Sequence, residues 1–285
     1  MKLKKTLLTG LTAVALCGAG VANAGVDFRF NWGATGQGFS GPATSDVVRE
    51  MKFTAESVIV FDTAPFSGTF TDYIVLRIDQ LFDSSGDAIA TPYGTGSGMQ
   101  ITLAAVLHGT QTSALAYDID SASRFDLYYD GPTGVFTNAS FAGALANFTD
   151  GALVETASSV FGSGVNSPTA PDGALDLFAI LLDAIGFEVT PGGVPLSLSG
   201  VVTAATNSNN HVCGTPTQTC GSTPGAILGF FGAPAPGAGL AFHTRSDGSI
   251  EKTVQAIPEP GTLGLLGLAL VVMGLVTNRR KNHLG

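Results

Sequence analysis

From Phe70 to Phe82 apolar and polar residues alternate. Ile74, Leu76 and Ile78 share one face, and Val75, Arg77 and Asp79 the other. Successive side chains of a strand point to opposite sides, so this pattern predicts a half-buried β-strand. Shorter apolar runs bounded by Gly, Pro, Asn and Asp recur at Ser57–Phe61, Gln100–Leu107, Leu153–Phe161, Phe187–Thr190 and Leu196–Thr203. Ala114–Asp118 and Arg124–Tyr129 read as neighbouring strands about Ile119–Ser123. Gly239–Thr244 and Ser249–Ala256 read as a hairpin about Asp247-Gly248, a dipeptide suited to a type I′ turn. One segment is ambiguous: Leu175, Phe178, Leu182 and Ile185 fit helical spacing, and periodicity does not choose between helix and strand for 174–185. From Ala204 to Gly239 the chain is rich in Asn, Thr, Ser, Pro and Gly, which predicts a long connection, either a binding loop or a segment without fixed structure. The expectation is a mainly β protein, a single β-sandwich of jelly-roll-like type.

Both ends stand apart from that body. Lys2, Lys4 and Lys5 precede the apolar run Leu7–Leu16, and Ala22-Asn23-Ala24 is a small-x-small site followed by Gly25. This is the pattern of a secretory signal peptide cut between Ala24 and Gly25 by signal peptidase after passage through the general secretion machinery. The apolar run is far shorter than the roughly 20 residues of a spanning helix. At the other end, Ile257-Pro258-Glu259-Pro260-Gly261-Thr262 leads into an apolar helix expected over 262–277. Sixteen residues make a helix of about 24 Å against a hydrocarbon core of about 30 Å, so it spans only with local thinning or snorkelling. Arg279, Arg280 and Lys281 would hold its far end in the cytoplasm, as a membrane-stop cluster. The domains expected are 1–24, 25–256 and 257–285.

Charge and cysteines narrow the function classes. Between residues 25 and 257 seven basic residues face 21 acidic ones, a net charge near −14. Such a body repels phosphate backbones, so nucleic acid is a poor partner. Cys17 leaves with the signal; Cys213 and Cys220 remain, and in an exported chain they read as one short disulfide loop. A metal site there would need further ligands, and His211 is the one nearby in sequence.

The usual catalytic constellations are missing. Gly-x-Ser-x-Gly and His-Glu-x-x-His do not occur, and His108, His211 and His243 read as loop or sheet-surface residues. Gly36-Gln37-Gly38-Phe39-Ser40-Gly41 matches Gly-x-Gly-x-x-Gly but has neither a clear strand before it nor a helix after it, so it reads as a loop. Asp118, Asp120, Asp126 and Asp130 supply oxygen ligands at a density that could hold calcium. Ala122 and Ser123 break the EF-hand spacing, and polar faces of strands account for the acids equally. No catalytic residue and no other cofactor is expected.

The order Pro258-Glu259-Pro260, short apolar helix, Arg279-Arg280-Lys281 resembles the PEP-CTERM sorting domain. That resemblance implies recognition of Pro258, Glu259 and Pro260 by an exosortase, a membrane cysteine peptidase of Gram-negative, exopolysaccharide-producing bacteria. It also implies passage through the inner membrane as a tailed intermediate, and removal of the tail. In the body, Val58–Leu81, the run Phe125-Asp126-Leu127-Tyr128-Tyr129-Asp130, and Gly186-Phe187 followed by Pro191 and Leu196-Ser197-Leu198 are similar to flocculation-associated PEP-CTERM proteins of the PepA type. This implies a non-enzymatic surface or matrix protein acting with exopolysaccharide. A carbohydrate- or ice-binding β module is the alternative, and a secreted hydrolase a third reading.

Overall fold

Each long alternating stretch of the chain pairs with the next one. In the computed structural model the elements are β1 (Arg29–Phe30), β2 (Glu50–Phe61), β3 (Thr69–Phe82), β4 (Gln100–Gln111), β5 (Ala116–Asp130), β6 (Ala152–Asn166), β7 (Gly173–Leu182), β8 (Glu188–Val189), β9 (Val201–Val212), helix α1 (Pro224–Phe230) and β10 (Ala241–Val254). The structure describes residues 25–36, 44–89, 100–113, 116–131, 145–166, 173–182, 185–196, 201–213 and 220–254. The signal segment, the Gly-x-Gly-x-x-Gly motif beyond Gly36 and the carboxy-terminal tail lie outside them. Gly25–Val254 forms one unit. No helix among the described residues is long and apolar enough to cross a membrane.

The protein is mainly β, as the alternation predicts, but its strands form one closed barrel in place of the two packed sheets of a sandwich. The order is β10-β2-β3-β4-β5-β6-β7-β9, and β10 pairs with both β9 and β2 to complete the ring. Every pairing is antiparallel. Closure removes the exposed edges that an open sheet leaves to aggregation. Register shifts at Lys52/Phe53, Val106/Gly109, Ile119/Ser123 and Asp247/Gly248 supply the local bending that long strands need to curl.

Several sequence expectations change for this reason. The two short strands about Ile119–Ser123 are one strand, β5, irregular in its middle. Asp247-Gly248 is no turn; it is the bulge inside β10, where Gly248 faces Phe53 on one side and Asn207 on the other. The ambiguous segment 174–185 is the strand β7 over most of its length. The connection 204–239 holds most of β9 and the helix α1.

The inner face carries Met51, Phe53, Ala55, Phe61, Phe70, Leu76, Ile78, Ile101, Leu103, Leu107, Ile119 and Leu127, all buried. The outer face carries ion pairs such as Arg77–Asp79 and Arg124–Asp126. That is the reverse of a lipid-facing barrel, whose outside is apolar. Gly109 and Gly164 make room inside: a Cβ on Gly109 would lie 2.4 Å from Phe70 Cζ, and one on Gly164 2.2 Å from the Tyr117 ring.

One end of the barrel is filled by the segment before β2 and by the β1–β8 pair. Phe28, Phe30, Trp32, Phe187 and Tyr129 stack there, with ring centroids 5.1 to 5.5 Å apart along the chain of contacts. Burial, with the Asp130 charge beside it, pushes the Tyr129 phenol up to about 12. Beside the rings, Lys252 of β10 sits 2.6 Å from Glu188 of β8 and 3.5 Å from Glu155 of β6. All three side chains are at most 2 % exposed, so the ions join the plug to two walls away from water.

Candidate functional site

Strand β2 is apolar on both faces near its end, Val58-Ile59-Val60-Phe61, and the structure shows why. Val58 of β2 and Val75 of β3 point outward and are covered by Ile227 and Leu228 of α1, with Leu145 and Phe148 alongside. Helix α1 begins at Thr223, whose hydroxyl accepts from the Ala226 amide, with Pro224 in its first turn. The connection from β9 to β10 thus folds back over the outside of the barrel.

A polar latch fixes that connection. Glu56, fully buried between Ala55 and Ser57, accepts from the amides of Gly221 (2.6 Å) and Ser222 (3.0 Å) and from the Ser222 hydroxyl. His243 Nε2 lies 3.6 Å from Glu56 Oε2 and 3.4 Å from Ser222 Oγ. Burial pushes the Glu56 carboxyl up, but the hydrogen bonds from His243, Ser222 and the two amides outweigh it and hold it below its ordinary value. Cys213 and Cys220 are bonded with Cα atoms 5.5 Å apart, and the Cys213 amide donates to the His243 carbonyl.

Serine, histidine and a carboxylate meet here, yet not as a hydrolase arranges them. In a catalytic triad the acid holds one imidazole nitrogen and the serine the other. Here Nε2 faces both partners, and the Gly221 and Ser222 amides, the natural donors of an oxyanion hole, are taken by Glu56. The cluster therefore anchors a loop. Replacing Glu56 with alanine should cost roughly 1–3 kcal/mol through the stranded donors and expose the 213–222 loop to limited proteolysis. Wild-type stability from this group is present above the ordinary glutamate value and lost as pH falls through the lower folded value. An alanine variant with unchanged urea midpoint and protease pattern would show that the latch holds nothing.

The acidic residues singled out from the sequence do not converge. All lie on β5, and Asp118 and Asp130 are separated by about 40 Å of strand at 3.3 Å per residue. Asp118 and Asp120 are exposed, and Asp120 accepts from the Ala122 amide. Asp126 is engaged by Arg124 and by Thr156. Asp130 is buried; burial and the nearby Asp150 push its carboxyl up, against hydrogen bonds from Gly131 and Gln100. Among the described residues, the group of metal-ligand side chains within mutual reach is Cys213, Cys220 and His243; the side chain of His211 lies outside them. His108 is on β4, where its Nδ1 lies 3.3 Å from Thr71 Oγ1.

Sequence reasoning missed a cleft on the outer face. It is lined by Ala104 and Val106 of β4, by Arg124, Asp126 and Tyr128 of β5, by Thr149, and by Phe230 and Phe231 at the end of α1. Its volume is about 390 Å³. The Tyr128-Tyr129 pair within an alternating strand was the available signal: one ring goes to the plug, and the other must stand outside.

The chemistry that defines the class of this chain lies in its tail. A protein-family model, the PEP-CTERM protein-sorting motif, matches residues 256–281. This bears out the resemblance of the tail to the PEP-CTERM sorting domain, and the motif marks the protein as an exported chain sorted at the membrane as an exosortase substrate. It carries a PEP-CTERM sorting domain. No curated protein and no solved structure matches the chain.

Proposed function

We propose that the barrel is a non-enzymatic surface or matrix protein of a Gram-negative bacterium, one that helps hold cells in flocs or biofilm together with exopolysaccharide. The observation that carries this reading is the sorting motif at 256–281, which commits the chain to the outside. Three features support the finer statement. The body is acidic, the serine–histidine–carboxylate cluster found among the described residues is consumed as a latch, and the body resembles flocculation-associated proteins of the same sorting class. Function on this reading requires no cofactor. Signal peptidase cuts at Ala24/Gly25, the apolar tail helix holds the intermediate in the inner membrane, and exosortase then reads Pro258-Glu259-Pro260. Deletion of the gene should reduce floc or biofilm mass and raise soluble polysaccharide in the medium. A deletion strain that flocculates like its parent would refute the matrix role.

Processing has its own test. In wild-type cells the mature protein should lack Leu263–Lys281 and leave the inner membrane. Glu259→Ala combined with Pro260→Ala should leave most of the protein full-length in that membrane, because burial of the apolar run does not depend on the motif. Mass spectrometry of the carboxy terminus in fractionated cells reads the outcome. Intact Arg279–Lys281 on the bulk of wild-type surface protein would mean that the tail is an ordinary anchor.

A further inference from the structure

The cleft beside α1 takes no part in the latch, and its lining combines two kinds of surface. One wall is aromatic and partly open: Tyr128 on β5 and Phe230 and Phe231 on the helix side. Phe231 is braced by Tyr73 at 5.5 Å and by Phe230 at 4.9 Å, so packing supports the helix side of this wall. The other surface is polar and planar. Arg124 Nη2 donates to both oxygens of Asp126 at 2.9 Å, its Nε donates to Oδ1 at 3.2 Å, and Thr156 donates to the same oxygen at 2.9 Å. This fixes the carboxylate, which is mostly buried, while the Arg124 side chain remains 59 % exposed. Its Nη1 makes no hydrogen bond among the described residues.

We propose that this cleft binds a neutral pyranose saccharide, an inference that rests on the matrix reading above and gives it a site. A pyranose presents a face of C–H groups, which suits an aromatic wall, and a rim of hydroxyls. Each hydroxyl both donates and accepts, so one can accept from Arg124 while another donates to Asp126. Few other ligands ask for apolar stacking beside a donor and an acceptor held side by side. An anionic sugar is disfavoured, because Asp126 already neutralises Arg124 and the body carries a net charge near −14. The volume lies at the low end of the roughly 300–1,000 Å³ of small-molecule clefts, which suits a short stretch of glycan chain.

The test is affinity electrophoresis of the mature protein purified from culture, in native gels cast with laminarin, hydroxyethyl cellulose, galactomannan or alginate. Retardation by at least one neutral polysaccharide is expected, with none by alginate. Tyr128→Ala and Arg124→Ala should each weaken that binding about tenfold, a loss of about 1.4 kcal/mol. Thr149→Trp, which changes only an exposed residue at the rim, should block the cleft while leaving circular dichroism and the melting temperature as in wild type. Retardation by none of the neutral polysaccharides overturns the proposal, as does retardation by alginate alone. Equal retardation of wild type and all three variants also overturns it, since binding would then lie elsewhere. The matrix reading is judged separately by the deletion strain, whose flocculation none of these gels measures.

Discussion

Replacing Lys252 with alanine should lower the stability of the barrel by about 3–5 kcal/mol, the usual result of stranding buried charge. The ammonium lies 2.6 Å from Glu188 and 3.5 Å from Glu155, and 5.9 Å from the centre of the Phe28 ring. Burial alone would favour the neutral amine, but the two carboxylates more than reverse that, so the lysine pKa stands above its ordinary value. Its contribution is therefore complete below the ordinary lysine value of about 10.4 and is lost only as pH rises through the higher folded value. Without the cation, Glu188 of the plug and Glu155 of the wall would sit together in an apolar site. Since a domain holds only about 5–15 kcal/mol in all, a substantial share of its margin is at stake. The triple variant Lys252→Met, Glu155→Gln, Glu188→Gln should recover much of the loss, because an uncharged set of similar volume removes the desolvation problem. Urea unfolding of the three proteins reads this directly. A lysine variant within about 1 kcal/mol of wild type would show that water or protons satisfy the carboxylates at little cost.

How much of this was legible in the chain depends on the range of the cause. The β3 strand is visible because its pattern is local: Ile74, Leu76 and Ile78 go in, and Arg77 and Asp79 go out. The barrel is not visible, since alternation says that one face is buried and nothing about whether the sheet packs on a second sheet or closes on itself. Asp247-Gly248 has the chemistry of a tight turn, and a bulge wants the same backbone freedom. What keeps the chain straight there is pairing with β2 and β9 on both sides. Asp118–Ser123 misled for a related reason, because polar residues at an irregular point of a long strand look like a break.

The latch shows the same limit more sharply. Its parts come from Glu56, Ser222 and His243, residues 166 apart in sequence at the hydrogen bond between the first two. A local reading of β2 cannot place a helix over its outer face, yet the hint was there. Val58-Ile59-Val60-Phe61 is apolar at every position, and a strand covered on both faces reads that way. Lys252 left no such trace, as a lysine among Glu251 and Thr253 looks like the solvated side of a strand. In contrast, the tail was legible from residues alone, because a sorting signal has to be read as a short linear pattern.

Asp72 should make the wild-type barrel lose stability as pH rises, the opposite of the Glu56 latch. It points into the barrel from β3, between Ile59 of β2 and Leu107 of β4, and is 8 % exposed. Its Oδ1 has no hydrogen-bond partner among the described residues. Burial raises its carboxyl pKa from 3.8 to about 7, with a hydrogen bond from Ser57 opposing the rise. The Tyr117 phenol, pushed far upward by its own burial and by the Asp72 and Asp176 charges, stays neutral throughout. Below the unfolded value of Asp72 both states are protonated and the folded state carries no penalty. Between the two values the unfolded chain ionises first, so stability falls, and above about 7 the full penalty is present. The rise from 3.8 to about 7 corresponds to about 4 kcal/mol. Asp72→Asn cannot ionise, so the difference in unfolding free energy between variant and wild type should be small near pH 4 and grow by several kcal/mol in favour of the variant by pH 8. Taking that difference cancels the other titrating groups, including Glu56, whose slope runs the other way at lower pH. Urea midpoints measured at half-unit steps give the curve. If it is flat, Asp72 ionises inside the barrel at no cost, and water must reach it there.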